Sequence, residues 1–208
     1  MAALVVAVCF AAGLNVYATV ATLGLLARAH IIALPLPLGG VTSWWVIAAS
    51  VAIYLVEFVA DKIPGVDLIW NALQTFVRVP AASVLGYLAA AHLSPLEQAA
   101  AALLGGCVAL IAHGGKTAAR MAVTPSPEPV SNIVLSLGED AVAVLIVSLA
   151  GQHPYWAAGI ATALLAIIVI LARTLLRAIG AAVRAALPRS SGADPSPSTA
   201  MPPDRRSR

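Results

Sequence analysis

Residues 57–78 read EFVADKIPGVDLIWNALQTFVR and join the end of one long apolar segment to the beginning of the next. The stretch opens with Glu57 and Asp61, two acids that lie one helical turn apart. A Pro-Gly break at residues 64 and 65 follows. Spacings of three and four residues then place the remaining polar side chains on one face of a helix. This polar series consists of Asp67, Asn71, Thr75 and Arg78.

The composition places this stretch in a membrane protein. Of the 208 residues, 61% are hydrophobic and only 10% are charged, and the mean hydropathy is +0.93. A soluble domain carries about a quarter charged residues. Because this chain cannot cover itself with polar surface, the lipid bilayer must be its solvent and partner. The net charge of +3 comes without a basic stripe interleaved with aromatic residues, so no nucleic-acid partner is expected.

Six apolar segments are candidates to cross the bilayer core, which takes about 20 residues. We therefore predict an all-α fold, a polytopic membrane helix bundle of about six transmembrane helices. Residues 188–208 are rich in Ser, Pro and Arg, which predicts a disordered tail after a transmembrane domain of residues 1–187. The six predicted spans are residues 4–27, 43–60, 79–91, 98–119, 130–150 and 157–175.

The distribution of basic residues predicts the orientation in the cell membrane. Loops rich in Lys and Arg stay on the cytoplasmic side. The Arg-rich tail and two basic loops, at residues 61–78 and 116–130, therefore predict that both the N- and C-termini are cytoplasmic. The loops at residues 92–97 and 151–155 contain no Lys or Arg and are expected outside. Only Arg28 disagrees with this arrangement.

A shift of 61 residues superimposes two polar series, which predicts an internal two-fold repeat. Acid, amide and hydroxyl side chains recur at the same steps, and the second and third spans would match the fourth and fifth. An inverted arrangement, spans one to three against four to six, stays open. Repeats with polar, broken segments in matching places point to a transporter's central site. The superimposed pairs are Asp67 with Glu128, Asn71 with Asn132, Thr75 with Ser136 and Arg78 with Glu139.

Ionisable groups within apolar segments are the candidates for function. Such groups cost roughly 2.5–3.5 kcal/mol in hydrocarbon, so they face a bundle interior or a cavity. Carboxylate and amide oxygens suit hard cations, and a desolvated carboxylate can carry a proton. We expect Glu57 and Glu139 to act as ligand or gating carboxylates and Arg78 to hold the acids. One acid of the Glu139-Asp140 pair could bond to Arg78 or to Lys116, and Arg78–Glu139 is the pair to examine first. The candidate ion-binding residues are Asn15, Glu57, Asp61, Asn71, Arg78, His113, Asn132, Glu139 and Asp140.

The first functional interpretation is a small secondary transporter or channel-like protein for an ion, with a small cation or a proton as its ligand. Two alternatives stay open. The acids and bases could form structural ion pairs in a non-transporting scaffold, or the bases could bind an anionic lipid headgroup or a protein partner. An enzyme is the least favoured interpretation, because no nucleophile-base pair is present. No cofactor is expected, since phosphate-loop, dinucleotide and soft-metal signatures are absent.

Several of these motifs together resemble the DUF4126 family of uncharacterised membrane proteins. The resemblance covers about residues 10–180 and rests on residues 56–67 (VEFVADKIPGVD), 13–17 (GLNVY), 126–132 (SPEPVSN) and the Glu139-Asp140 pair. It implies an integral membrane protein and brings no activity. The stretch is also similar, more weakly, to the Glu-x-Gly-Asp-Lys/Arg-Ser/Thr motifs of cation/proton exchangers. Here, however, Glu57 and Asp61 lie one residue further apart and the glycine is missing, so cation transport is an analogy only.

Overall fold

A computed structural model describes residues 2–63, 65–123 and 129–186. These residues form α-helices, one 3-10 helix and short turns, without any strand, so the predicted all-α class is confirmed. The predicted tail, residues 188–208, lies outside the described residues. The α-helices are α1 (Ala2–Leu14), α2 (Val16–Arg28), α3 (Trp44–Ala60), α4 (Val66–Ala89), α5 (Pro95–Val123), α6 (Pro129–Gln152) and α7 (Pro154–Ala186), and the 3-10 helix is Leu36–Thr42.

Three of the described helices are long and apolar enough to cross a membrane, namely the spans Pro95–Met121, Ile133–Gln152 and Pro154–Arg184. The 3-10 helix and α3 would add a fourth span as a pair bent by 61°. These helices support the membrane assignment. By length and composition they give three or four spans, fewer than the predicted six. This shortfall in the number of spans has two sources. The helices α1 and α2 are only 13 residues each, or about 20 Å, and α4 carries a polar face.

The predicted first span, residues 4–27, is wrong, because the helix breaks at Asn15. The backbone of Asn15 is extended (φ −153°, ψ 104°), and its side-chain oxygen accepts the Ala18 N–H at 2.9 Å, which starts α2. The helix α2 then folds back towards the beginning of α1, since Leu4 and Val5 of α1 line one cavity with Leu23 of α2. The two helices form a hairpin with the buried Asn15 at its tip.

The beginning of the hairpin lies beside the two loops that lack basic residues. Ala2 lines a cavity with Leu93, and Ala3 lines another with Gly151. The sequence instead predicts a cytoplasmic N-terminus, on the opposite side of the membrane from the loops at residues 92–97 and 151–155. That expectation assumed that the first apolar segment crosses, whereas a hairpin returns to the side from which it enters.

The polar stretch that was predicted as a cytoplasmic loop is part of a helix. Gly65 precedes α4 with a φ of +88°, a left-handed conformation that favours glycine. From Val66 the chain continues without interruption to Ala89 and passes Pro80 inside the helix. The amphipathic segment and the short third span are therefore a single helix. Its polar face is buried and comprises Asp67, Asn71, Gln74 and Arg78.

The hydrophobic core forms around α1, which packs against α4, α5 and α6. Small residues allow the backbones to approach closely, as is usual where lipid gives no hydrophobic driving force. A Cβ added to Gly13 would lie 2.6 Å from the Ala109 carbonyl oxygen, and one added to Gly86 would lie 2.6 Å from that of Ala101.

The described chain divides into two compact units. Residues 2–172 form the first unit, and residues 173–186, at the end of α7, belong to the second. The predicted domain boundary after residue 187 lies outside the described residues.

Replacing Gly13 with alanine should lower the stability of the protein. The new methyl group would lie 2.8 Å from the Ala109 Cα and the Ala112 Cβ, and such overpacking costs about 1–3 kcal/mol. Gly159→Ala is the matched control, because nothing lies within 4 Å of its added Cβ, and alanine favours a helix over glycine by up to about 1 kcal/mol. Thermal unfolding in detergent compares the two. A Gly13→Ala protein as stable as Gly159→Ala would contradict the close approach of α1 and α5.

Candidate functional site

A cluster of buried charges lies where α3, α4, α5 and α6 meet the hairpin tip. Its basic side chains are at most 2% exposed, and its most exposed acidic side chain, that of Glu139, is 10% exposed. Charges at such positions must be neutralised by one another or by a ligand. We call this cluster the charged network. Its members are the bases Arg78, Lys116 and Arg120 and the acids Glu57, Asp61, Asp67, Glu139 and Asp140.

Glu57 is held by two bases from different helices. Its Oε1 atom accepts hydrogen bonds from Arg78 Nη2 of α4 and from Lys116 Nζ of α5, the latter at 3.3 Å. Lys116 Nζ also donates to Asp61 Oδ2 at 2.9 Å and to the carbonyl oxygen of Leu14 at 3.3 Å. One ammonium group thereby connects α3, α5 and the hairpin tip.

Arg120 joins the second half of the network. It donates to the Asp61 carboxylate at 2.9 Å and to the Asp61 carbonyl oxygen at 2.7 Å, and its Nη2 donates to Glu139 Oε2 at 2.8 Å. Lys116 Nζ lies 3.5 Å from the same Glu139 oxygen. Glu139 therefore pairs with α5, and the predicted Arg78–Glu139 pair is wrong. The guanidinium group of Arg78 is instead engaged by Glu57.

His113 is a neutral, fully bonded histidine of the interior. Arg78 Nη1 donates to His113 Nδ1 at 2.8 Å, and since a guanidinium can only donate, Nδ1 must be the accepting nitrogen. The proton is thus on Nε2, which lies 2.8 Å from Thr75 Oγ1 and 3.0 Å from the Asn71 carbonyl oxygen. His113 orients Arg78 towards Glu57 rather than offering a free ligand atom.

Asn71 and Asp67 complete the polar face of α4. The Asn71 amide donates to the Asp67 carbonyl oxygen at 2.8 Å, while its oxygen accepts from Arg78 at 3.4 Å. Asp67 Oδ1 accepts the backbone N–H groups of Gly65 and Leu68 at 2.9 Å and 2.8 Å. This acid therefore satisfies the beginning of the helix, where a negative charge is favoured.

Asp140 differs from the other acids because neutral groups hold it. Its Oδ1 accepts from Asn15 Nδ2 at the hairpin tip at 3.0 Å, and its Oδ2 accepts from the Tyr54 hydroxyl of α3 at 3.3 Å. No Lys or Arg of the described residues lies within ion-pair distance of it. The described network thus contains five acids and three bases, a formal excess of two negative charges.

Lys62 lies next to the network, just after the end of α3. Its Nζ donates to the Phe58 carbonyl oxygen at 2.8 Å and lies over the Phe58 ring. Burial lowers the pKa of Lys62. This lysine therefore reaches back along α3 and forms no ion pair with the described acids.

The structure brings together eight of the nine residues predicted from the sequence. The exception is Asn132, which lies in α6 with its side chain outside the described part of the chain. Sequence reasoning offered Lys116 as a possible partner of the acids but missed Arg120, and it counted both as loop charges although they are buried in α5. The sequence does contain a pattern that indicates the role of these two bases in the network. His113, Lys116 and Arg120 follow one another at steps of three and four, so they lie on one face of the helix.

Within the described residues, no group of three or more His, Cys, Asp or Glu side chains could hold a metal ion. The carboxylate oxygens of Asp61 and Glu139 instead accept from Lys116 and Arg120. The arrangement is suited to holding protonatable groups in a fixed, partly neutralised environment.

Removing Arg78 should destabilise the protein strongly. Arg78→Met leaves Glu57 with Lys116 as its only base, and breaking a buried ion pair on one side costs about 3–5 kcal/mol. Adding Glu57→Gln to that variant should restore part of the loss, since it removes the uncompensated charge. The control is Arg28→Met, an exposed arginine over the Trp44 ring, which should change the unfolding temperature in detergent little. Equal effects of Arg78→Met and Arg28→Met would contradict the network.

The comparison with known proteins agrees with the features above. The model of a protein family described as a domain of unknown function, DUF4126, matches residues 2–174. That range includes the hairpin and every member of the charged network. No curated protein and no solved structure matches the chain. Because the match covers most of the sequence, the chain belongs to the DUF4126 family.

Proposed function

We propose that this protein is a small secondary transporter for an ion, with its site at the tip of the α1–α2 hairpin. The observation that carries the proposal is the helix break at Asn15, which is fully buried and bonded to Asp140 of the charged network. Broken helices that meet ionisable groups inside an apolar bundle are the recurring design of transporter sites. A scaffold would need neither the break nor more acids than bases.

The excess of acids supports an ion as the ligand. Among the described residues the acids of the network outnumber its bases, and a net negative charge in a low-dielectric interior is stabilised by protons or cations. Glu57 remains a candidate gating carboxylate, because its second oxygen, Oε2, is buried without a hydrogen-bond partner among the described residues. Glu139 is the most exposed acid of the network and is a candidate for the approach to the site.

We also propose that the second half of the bundle is related to the first. The same shift of 61 residues that aligns the polar series also aligns the buried apolar positions of α4 with those of α6. A common burial register over two turns supports a parallel repeat, in which the two helices present equivalent faces to the core. The matched buried positions are Ala82 with Ala143, Leu85 with Ile146, Gly86 with Val147 and Ala89 with Ala150.

For the topology we propose five crossings, by α3 to α7, and a hairpin that enters and leaves on one side of the cell membrane. The hairpin side carries Arg28 as its only Lys or Arg in the described loops, whereas the opposite side carries Lys62. The Arg-rich end of the chain follows the fifth crossing. Basic residues favour the cytoplasm. The beginning of α1 is then extracytoplasmic, while the end of the chain is cytoplasmic as the sequence predicted.

Single cysteines should distinguish this topology from the one with six crossings. In a background with Cys107 replaced by alanine, Ala2→Cys and Ser94→Cys should both react with a membrane-impermeant thiol reagent applied to intact cells. Ile63→Cys should react only after permeabilisation. All three positions are exposed, and the remaining Cys9 is buried. Labelling of Ser94→Cys without Ala2→Cys would contradict the hairpin topology.

Ion flux in proteoliposomes tests the transport proposal. Purified protein should dissipate an imposed proton or Na⁺ gradient, and Glu57→Gln should lose most of that flux because it removes a buried charge of the site. The control is Glu97→Gln, which removes an exposed acid that bonds only to Ser94. Absence of flux for protons, cations and anions in the unaltered protein would refute transport.

The second candidate function is a non-transporting scaffold, and the pairing of Arg78, Lys116 and Arg120 with acids favours it. In that case Glu57→Gln lowers the unfolding temperature and no flux is seen with any variant. The headgroup-binding version is less well supported than the sequence suggested. The bases proposed for it are Lys62, Arg78, Lys116 and Arg120. In the structure Arg78, Lys116 and Arg120 are buried and paired with acids, so of these four Lys62 is the one left for an anionic lipid.

A further inference from the structure

We propose that Asp140 is the group that binds and releases the transported or coupling proton. The inference rests on the proposed transport function and assigns its ligand, a proton rather than a metal cation. In each cycle the Asp140 carboxylate accepts a proton from water on one side and returns it to water on the other. No bond other than the O–H bond forms or breaks.

Asp140 is the acid of the network whose negative charge has no basic partner among the described residues. Its two oxygens accept from the Asn15 amide and the Tyr54 hydroxyl, both neutral. Such donors hold the carboxyl group in place without supplying a compensating positive charge. Glu139, the neighbouring acid, is committed to its ion pair with Arg120.

The surroundings of Asp140 include few charges that could replace a proton. The hairpin supplies Asn15, and α5 supplies Lys116 and Arg120, which are engaged by other acids. From α3 come Tyr54, Glu57 and Asp61, and Lys62 follows that helix. Lys62 contributes a long-range attraction to Asp140, but its ammonium group is bonded to the Phe58 carbonyl oxygen. The negative charge on Asp140 is therefore attenuated rather than cancelled.

A second buried oxygen supports a titratable site in this region. Glu57 lies one helical turn after Tyr54 on α3, and the Glu57 side chain is 1% exposed. Its Oε2 atom has no hydrogen-bond partner in the described part of the chain, although Oε1 accepts from two bases. A buried acceptor of this kind is costly when it stays unsatisfied. A donor such as a protonated group or a water molecule would satisfy it.

The hydrogen-bond directions favour a proton over a metal cation. The Asn15 oxygen already accepts the Ala18 N–H, so the Asn15 amide directs its NH₂ group, and not an oxygen, at Asp140. Tyr54 likewise directs its O–H at the carboxylate. A hard cation needs six or more oxygen ligands, or an octahedral set with waters. These donors occupy positions around the carboxylate that a metal cation would need, whereas the Tyr54 hydroxyl can also accept a hydrogen bond from a protonated carboxyl group.

Infrared difference spectroscopy of the purified full-length protein between acidic and alkaline pH tests this assignment without any transport. Among the carbonyl-stretch bands that protonated carboxylic acids give at acidic pH, one should be lost in Asp140→Asn, and this is the Asp140 band. Tyr54→Phe removes one hydrogen bond to the group and should shift the frequency of the Asp140 band. Glu97→Gln removes only the contribution of an exposed acid on the hairpin side and should leave the Asp140 band unchanged.

Three results would overturn the inference. These are a spectrum in which Asp140→Asn loses no band, an Asp140 band that is unaffected by Tyr54→Phe, and an Asp140 band that Na⁺ removes at constant pH, which would indicate a cation site. If Asp140→Asn does not fold, the Tyr54→Phe shift still decides the matter. Failure of the proposed function is distinguishable, because an Asp140 band without any flux would refute transport alone. Flux without such a band would refute only the assignment of Asp140.

Discussion

The need to neutralise charge in a low-dielectric interior determines how this bundle is built. Arg78, Lys116 and Arg120 are almost fully buried, and each would be strongly destabilising without a nearby acid. Their partners come from different helices, so each ion pair also fixes one helix against another. Lys116 illustrates the effect, because its ammonium group contacts α3, the hairpin tip and, at 3.5 Å, Glu139 of α6. The network therefore sets the relative positions of the helices, and the apolar contacts around it follow.

The hairpin depends on this network for a physical reason. A helix that ends inside a membrane exposes backbone groups that lipid cannot satisfy. At the break between α1 and α2, the Leu14 carbonyl oxygen accepts from Lys116, and the side chain of Asn15 accepts the Ala18 N–H. The remaining amide hydrogens of Asn15 reach Asp140. An irregular backbone is tolerated at this depth because polar protein groups, and not lipid, surround it.

Much of this arrangement could be predicted from the sequence, and the limits have identifiable causes. Apolar segments were sufficient for the all-α class, and the rare polar and ionisable residues within them indicated eight of the residues that the structure brings together. The hairpin could not be predicted in this way, because Gly13-Leu14-Asn15 interrupts an otherwise continuous apolar run without a proline. Hydropathy does not distinguish a kinked span from a reversal. The partners of each acid were also out of reach, since ion pairing depends on which helices become neighbours.

The same interactions that stabilise the fold restrict where function can lie. An acid that is bonded to a buried base is also part of what stabilises the fold, because removing its charge would leave the base uncompensated. Glu57, Asp61 and Glu139 are in this position, and Asp67 is committed to the beginning of α4. Asp140 differs from them, because the neutral side chains of Asn15 and Tyr54 hold it and no Lys or Arg of the described residues pairs with it. A largely structural set of ion pairs is therefore compatible with the ion-binding role that we propose for the hairpin tip.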